Sequence, residues 1–196
     1  CCACSELCRL LLNHPYSKLT SISSVTFEGQ KISEVYPSYL GLCDMVCKTQ
    51  EEVVEKCDVV FAALPHGLSQ ELAAACAKRM KFFIDLGADF RLEDEETYKT
   101  WYGCEFLDKA LHEQAVYGLP ELFRPFSRGK SLIANPGCYA TAVPLAIVPA
   151  ICHCPSGAGF SGYHSGGCWP GFSWAWCSPA NGGMGSHDRR RYAGHF

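Results

Sequence analysis

Cys138 is the residue of this 196-residue chain best suited to covalent chemistry. It stands in the segment Asn-Pro-Gly-Cys-Tyr-Ala-Thr, residues 135–141. The apolar residues 131–134 before it predict a short buried strand, and the alanine-rich residues 140–150 after it predict a helix. Cys138 is therefore expected where a strand ends and a helix begins. Unpaired amide groups and the positive end of a helix favour a thiolate there, and the thiolate is the reactive form of cysteine.

The alternative for Cys138 is an inert buried cysteine, which is the commoner fate of a free cysteine. Pro136 and Gly137 weigh against that alternative, because they fit a tight turn that presents the sulfur to solvent. A cysteine held at a strand-to-helix turn is an established setting for a nucleophile. The sequence therefore favours a catalytic role for Cys138.

Composition limits the classes of function. The net charge of −3 argues against binding to nucleic acid or to a membrane surface. No run of 18 apolar residues predicts a membrane span, and no secretory leader is recognisable. We therefore expect a globular, cytoplasmic protein. The first residue is not Met, which predicts that the natural start is missing.

The 14 cysteines do not form the pattern of a disulfide framework or of a zinc site. Four lie in residues 1–8 and four in residues 152–177, while the others are scattered. The only C-x-x-C is Cys1–Cys4 in the opening Cys-Cys-Ala-Cys, and close pairs such as Cys43 and Cys47 lack a regular zinc-ligand spacing. We therefore expect reduced thiols and no bound metal. A non-catalytic, thiol-rich metal-binding protein remains the alternative from another functional class.

The middle of the chain predicts βαβ units. Residues 58–64 and 81–86 are apolar runs typical of parallel strands covered on both faces. Between them, the alanine-rich residues 70–80 predict a helix that Ser69 caps. This alternation predicts an α/β fold with a doubly wound, Rossmann-type parallel sheet that lacks its first strand. Only the start of a second, α+β substrate domain is expected to follow it.

Ligands of such sheets bind at the carboxyl ends of the strands. That edge would collect Ser24, the Pro65–His66–Gly67 turn, the turn at residues 85–87 and the turn at residues 135–138. Four turns that converge on one edge are a stronger sign of a site than any single turn. The segment at residues 117–122 is expected to be a loop shaped by Gly118 and Pro120.

Five stretches of the chain carry a family pattern: residues 6–15, 63–67, 85–92, 116–122 and 135–141. In this order along residues 5–150, they resemble the N-acetyl-gamma-glutamyl-phosphate reductase family, NADP-dependent enzymes of arginine biosynthesis. The last of them, with Asn-Pro-Gly-Cys-Tyr, would by itself also suit the related aspartate-semialdehyde dehydrogenases, which are the second alternative.

The resemblance implies a cysteine mechanism and a set of site residues. Cys138 would attack N-acetyl-L-glutamyl 5-phosphate and form a thioester, which NADPH would reduce to N-acetyl-L-glutamate 5-semialdehyde. Family members are homo-oligomers. The implied cofactor-binding residues are Ser24, Pro65, His66, Gly67 and Asn135, and the implied substrate-binding residues are Tyr117, Glu121 and Arg91.

Each implied role has a structural alternative. His66 would instead cap the following helix, and Tyr117 would be a core residue. Glu121 would be a solvated loop charge, and Arg91 a surface ion-pair partner.

The chain departs from the family pattern at both ends, so we expect a fragment with doubtful activity of its own. Cys1, Cys2 and Cys4 stand where the family has glycine, an aromatic residue and glycine. Residues 152–196 contain no Leu, Ile, Val, Lys or Glu and lack the family's acid/base histidine. The expected division is therefore a partial dinucleotide-binding domain (1–137), the start of a catalytic domain (138–151) and a non-native or disordered tail (152–196). An unstable, non-functional product is the third alternative.

Overall fold

The computed structural model describes residues 2–152, apart from the side chains of residues 2, 123–125 and 149–152. The expectations for Cys1 and for residues 153–196 lie outside the described residues. Among residues 2–152, none of the helices combines the length and the apolar content that crossing a membrane requires.

Helices and strands follow one another along the described chain, with two helices between β4 and β5. The helices are α1 (Cys2–Leu12), α2 (Ile32–Val35), α3 (Gln50–Lys56), α4 (Ser69–Lys78), α5 (Glu95–Tyr102), α6 (Lys109–Gln114), α7 (Pro120–Ser127) and α8 (Cys138–Cys152), with a 3₁₀ turn at Pro37–Tyr39. The strands are β1 (Ile22–Ser23), β2 (Cys47–Lys48), β3 (Val59–Ala62), β4 (Phe82–Asp85), β5 (Val116–Tyr117) and β6 (Leu132–Ala134).

Four of these strands form a parallel sheet in the order β3-β4-β6-β5. The register aligns their last residues in one row across the sheet: Ala62, Asp85, Ala134 and Tyr117. The carboxyl ends of all four strands therefore reach the same edge. The predicted α/β fold with a parallel sheet is confirmed.

The core lies between this sheet and the helices α3 and α4. Val60 of β3, Phe83 of β4 and Leu132 of β6 are buried in it, together with Val54 of α3 and Cys76 of α4. Each is apolar and leaves water on folding, which is the main source of the sheet's stability.

The apolar runs predicted strands covered on both faces along their whole length. The strands at residues 59–62 and 82–85 are instead partly exposed. Val59 keeps 42% of its surface exposed and Phe82 keeps 49%. Successive strand residues face opposite sides of a sheet, and here one side is better covered than the other. A continuous apolar run therefore overstated the burial at the start of each strand.

The remaining strands, β1 and β2, pair in parallel as a separate two-stranded sheet. A small core of Cys8, Ile32, Tyr39 and Cys43 lies beside it. We call residues 2–48 the N-terminal unit and residues 49–137 the sheet unit. Helix α3 contacts both, because it packs against β1 and against α4.

Helix boundaries differ from the sequence predictions at two points that matter for the site. Helix α4 begins at Ser69 itself, and the preceding Leu68 provides no side-chain cap. The expected loop at residues 117–122 is instead the end of β5 followed by α7, which begins at Pro120. Proline suits the first turn of a helix, since its missing N–H would have no intrahelical acceptor there.

Candidate active site

Turns from neighbouring strands meet at the carboxyl edge of the four-stranded sheet, and backbone hydrogen bonds hold them together. Leu86 N donates to Ala62 O at 2.8 Å, and Asn135 N donates to Asp85 O at 2.8 Å. Gly118 N donates to Ala134 O at 3.3 Å. The structure thus brings together three of the four predicted turns and adds the turn that follows β5.

Cys138 lies on this edge as the first residue of α8, four residues after the end of β6. Its side chain is exposed and its thiol is free. The first helical hydrogen bond joins Thr141 N to Gly137 O at 2.9 Å. Geometry leaves the first amide groups of any helix without an intrahelical acceptor, and the amide group of Cys138 is among them here. The predicted strand–turn–helix setting of Cys138 is present.

Arg91 lies beside this turn and bonds to two of the neighbouring turns. Its Nε donates to Asn135 O at 2.9 Å, and its Nη2 donates to Leu86 O at 2.8 Å. A Cβ placed on Gly137 would lie 3.2 Å from Arg91 Nη1, so the guanidinium runs alongside the residue before Cys138. Arg91 is half-buried and is not the surface ion-pair partner of the structural alternative.

Tyr117 and Glu121 lie at the β5 end of the same edge. Tyr117 ends β5 opposite Ala134 and keeps 38% of its surface exposed, so it is not a core residue. Partial burial raises the pKa of its phenol above the usual value, while the charge of Arg91 acts to lower it. Glu121 is exposed in the first turn of α7.

The Pro65–His66–Gly67 loop follows β3 at the opposite end of the row. Pro65 and His66 are exposed, and the His66 ring lies 4.8 Å from the ring of Tyr102. Gly67 has φ +84°, a conformation that suits glycine. A Cβ on Gly67 would also lie 3.1 Å from Cys104 Sγ. His66 does not cap α4, because Asp89 accepts the amide hydrogen of Ser69 at the start of that helix.

Two more residues were predicted to touch the cofactor. Asn135 lies within the edge, where its side-chain Nδ2 donates to Pro136 O at 2.9 Å. Ser24 follows β1 in the separate two-stranded sheet, where its N donates to Lys48 O and its Oγ accepts from Phe27 N. The structure does not bring Ser24 into the row of turns, since β1 does not join the four-stranded sheet.

Asp85 and Asp89 are site residues that sequence reasoning did not single out, and both side chains are fully buried. Asp85 Oδ1 accepts from Gly87 N at 2.9 Å, and burial raises the pKa of the Asp85 carboxyl. A Cβ on Gly87 would lie 2.9 Å from the same oxygen, so a larger residue there would displace the Asp85 carboxyl. The sequence did offer a signal for this pair, since Asp85 and Asp89 stand at the two ends of a turn that follows an apolar strand. Carboxylates are rarely buried, so a carboxylate next to a buried strand is a candidate for a specific role.

The residues at this edge suit a nucleotide cofactor in their backbone and side-chain chemistry. Exposed turns with a glycine at positive φ allow a ligand to approach the backbone closely. By contrast, no three His, Cys, Asp or Glu side chains within residues 2–152 come together in a way that could hold a metal ion. The described residues therefore do not favour the metal-binding alternative.

Comparison with known proteins agrees with this geometry. The family model described as semialdehyde dehydrogenase, NAD binding domain, matches residues 2–127. The chain is 50% identical over 146 residues to N-acetyl-gamma-glutamyl-phosphate reductase of Clostridium botulinum (strain Eklund 17B / Type B), a match that covers 74% of this chain and 42% of that protein.

Two further relatives carry the same name. The protein of Clostridium beijerinckii is 49% identical over 147 residues, which cover 75% of this chain and 43% of the relative. The protein of Brachyspira hyodysenteriae is 44% identical over 154 residues, which cover 75% and 44%. The matches confirm the resemblance predicted from the sequence. The chain spans less than half the length of these curated relatives.

Proposed function

The chain belongs to the semialdehyde dehydrogenase family, whose NAD-binding domain it contains, and on that premise we propose that it serves an NADP-dependent reduction of N-acetyl-L-glutamyl 5-phosphate to N-acetyl-L-glutamate 5-semialdehyde. The observation that carries the proposal is the exposed thiol of Cys138 at the start of α8, on the edge where four strands end. This step would belong to arginine biosynthesis.

Cys138 is the nucleophile in this proposal. Its sulfur attacks the acyl carbon of the substrate, a carbon–sulfur bond forms, and the carbon–oxygen bond to phosphate breaks. Inorganic phosphate leaves and a thioester remains on Cys138. NADPH, when bound, would supply the hydride that reduces the thioester. The carbon–sulfur bond then breaks, the semialdehyde leaves and the Cys138 thiolate is restored. Splitting one difficult reduction into two steps lowers each barrier.

The neighbouring groups act on charge and position. The amide groups of the first turn of α8 stabilise negative charge that develops on the acyl oxygen. Arg91, whose Nη1 faces Gly137, offers a fixed positive charge to the phosphate group. Tyr117 and Glu121 contact the remainder of the substrate. The cofactor would be held by Pro65, His66, Gly67 and Asn135. Its ribose end would be held by Ser24.

The acylation step is tested by intact mass spectrometry after incubation with N-acetyl-L-glutamyl 5-phosphate. We expect a gain of one N-acetylglutamyl group on the wild-type chain and none on Cys138→Ala. Cys4→Ala is the matched control, because Cys4 is also exposed and free, and it should acylate like the wild type. An unmodified wild-type chain would refute the proposed nucleophile.

Substrate and cofactor are tested on the same adduct. Aspartyl phosphate should acylate Cys138 more slowly than N-acetyl-L-glutamyl 5-phosphate does. Equal rates of acylation would favour the aspartate-semialdehyde dehydrogenase alternative. NADPH should then remove the adduct faster than NADH does. If NADH is the better reductant, the proposed preference for NADP is wrong.

A further inference from the structure

Asp89 lies at the centre of a buried hydrogen-bond network beneath the Pro65–His66–Gly67 loop. Its side chain is 0% exposed. Oδ1 accepts from Gly67 N at 2.7 Å and from the Tyr98 hydroxyl at 2.8 Å, and Oδ2 accepts from Ser69 N at 2.9 Å. One carboxylate thus holds the end of the loop and the start of α4, over a sequence separation of about 20 residues.

We propose that Asp89 is the positioning residue for the Pro65–His66–Gly67 loop and thereby sets the affinity for the nicotinamide cofactor. The inference rests on the proposed function, in which this loop contacts NADPH. Asp89 itself faces away from solvent, so it acts on the cofactor through the loop and not by contact.

The carboxylate fixes the loop from below at two successive points. Gly67 N and Ser69 N bond to its two oxygens, so Leu68 between them is held in place. Hydrogen bonds to a charged acceptor are about twice as strong as neutral ones. They are also costly to lose in a buried site, because each donor is then left without a partner.

A second path runs from Asp89 to His66 through aromatic rings. Tyr98 donates its hydroxyl hydrogen to Asp89, and its ring lies 5.4 Å from that of Tyr102. The Tyr102 ring in turn lies 4.8 Å from the ring of exposed His66. The orientation of His66 is therefore supported from the same carboxylate as the backbone of the loop.

The hydrogen bond to Asp89 also changes which amide groups at the start of α4 are available to a ligand. The positive end of a helix is a ready site for phosphate. At α4 the amide group of Ser69 already bonds to Asp89. That donor is therefore not available to a phosphate group of the cofactor.

The Asp89→Asn variant distinguishes two ways in which Asp89 could affect NADPH affinity. It could position the loop, or it could act only through its negative charge, and the two predict opposite changes. NADPH is an anion, so removing a nearby negative charge would tighten its binding if charge alone mattered. If Asp89 positions the loop, the variant weakens binding, because an amide nitrogen replaces one of the two carboxylate oxygens. The donors to that oxygen, either Ser69 N or Gly67 N together with the Tyr98 hydroxyl, then lose their acceptor. The sign of the change in affinity therefore separates the two.

The experiment compares NADPH binding by the wild-type chain, Asp89→Asn and Tyr98→Phe, using fluorescence titration. We expect a Kd roughly tenfold higher for Asp89→Asn and a smaller rise for Tyr98→Phe, which removes one of the three bonds. Asp94→Asn is the matched control. Asp94 accepts from Thr97 N at 2.8 Å as the cap of α5, but it is exposed, and its replacement should leave the Kd within about twofold.

The second readout is the rate at which iodoacetamide alkylates Cys138. Cys138 lies on another turn, so Asp89→Asn should leave this rate within about twofold of the wild-type rate if only the loop is affected. Equal losses in NADPH affinity and in alkylation would mean general loss of structure and would overturn the inference. An Asp94→Asn effect as large as that of Asp89→Asn would overturn it as well.

The result on the wild-type chain separates the inference from the proposed function. A wild-type chain that does not bind NADPH contradicts the proposed function, and the inference fails with it. A wild-type chain that binds NADPH, with Asp89→Asn binding equally well or better, contradicts the inference alone. If Asp89→Asn does not fold, Tyr98→Phe decides, and an unchanged Kd for that variant refutes the inference.

Discussion

The sheet unit and the N-terminal unit have the same kinds of elements but differ in how much they bury. The sheet unit pairs four parallel strands, while the N-terminal unit pairs two strands of two residues each. The largest fully buried side chains, among them Tyr98, Phe83 and Asp89, all lie in the sheet unit. A catalytic site needs groups held within fractions of an ångström, and the sheet unit is the part that can do so.

The difference matters for the two groups of predicted cofactor residues. Pro65, His66, Gly67 and Asn135 follow strands of the sheet unit, whereas Ser24 lies in the N-terminal unit. Contact between the units includes α3 and the pair Thr20 Oγ and Cys57 Sγ, which are 3.2 Å apart. The position of Ser24 relative to the site therefore depends on contacts between the two units and not on the pairing of the four-stranded sheet.

The largest expected effect comes from comparing the two cores directly. Phe83→Ala should lower the free energy of unfolding by roughly 3–5 kcal/mol, because it leaves a cavity in the main core. Ile32→Ala, in the small core, should cost about 2 kcal/mol, at the low end for such changes. Urea unfolding gives both values. Hydrogen exchange of the β4 amides should change for Phe83→Ala and stay close to wild type for Ile32→Ala.

A common loss of protection in both variants would mean that the two units unfold as one. The comparison drawn above would then be wrong.

The next effect in size is a pH dependence that belongs to the sheet unit. His112 is buried against Phe90 and Phe106, and burial lowers its pKa from 6.5 to about 4, although Asp89, Asp108 and Glu95 act to raise it. Because the folded pKa is the lower one, His112 contributes full stability above pH 6.5. That contribution is lost as the pH falls towards 4, by up to about 3 kcal/mol.

Urea unfolding measured between pH 7 and pH 4 checks this prediction. His112→Gln cannot titrate and should flatten the dependence in that window, while His14→Gln, at an exposed position after α1, should leave it unchanged. Equal slopes for the wild type and His112→Gln would contradict the prediction.

A smaller loss of stability is expected when the hydrogen bonds of Arg91 to the turns beside Cys138 are removed. Arg91→Met removes the hydrogen bonds to Leu86 O and Asn135 O and should cost about 1–2 kcal/mol. It should also slow acylation of Cys138 by the acyl phosphate. Arg79→Met is the matched control, because Arg79 lies 3.9 Å from Glu55 in an exposed ion pair, which contributes little. Unfolding and acylation measured side by side would show whether Arg91 differs from an ordinary surface arginine.

The smallest effect sharpens the comparison at the helix that joins the units. Thr49 caps α3 by accepting from Glu52 N at 3.3 Å, so Thr49→Ala should cost about 1 kcal/mol. Since α3 contacts β1 and α4, hydrogen exchange should rise in both units. Thr100→Ala, on the exposed face of α5, is the control and should change neither. A Thr49→Ala effect confined to one unit would show that α3 belongs to that unit alone.

Much of the sheet and its helices could be predicted from local patterns. The apolar run before Pro65 predicted β3, and the alanine-rich residues 70–80 predicted most of α4. The position of Cys138 between a strand and a helix was likewise clear, because Pro136 and Gly137 mark the turn. Residues 28–39 are polar and loop-like in sequence, but α2 and a 3₁₀ turn lie there, since tertiary contacts of Ile32 and Tyr39 override weak local preference.

The sequence by itself determined the strands β3, β4 and β6, the turns that follow them and the exposed position of Cys138, because apolar periodicity and Gly/Pro punctuation act over a few residues. The tertiary structure alone decided which polar groups meet. Asp89 bonds to Gly67 from 22 positions away, and Arg91 bonds to Asn135 from 44 positions away. It also decided that Ser24 lies on a different sheet. Such pairings depend on strand order and register, which no local pattern encodes.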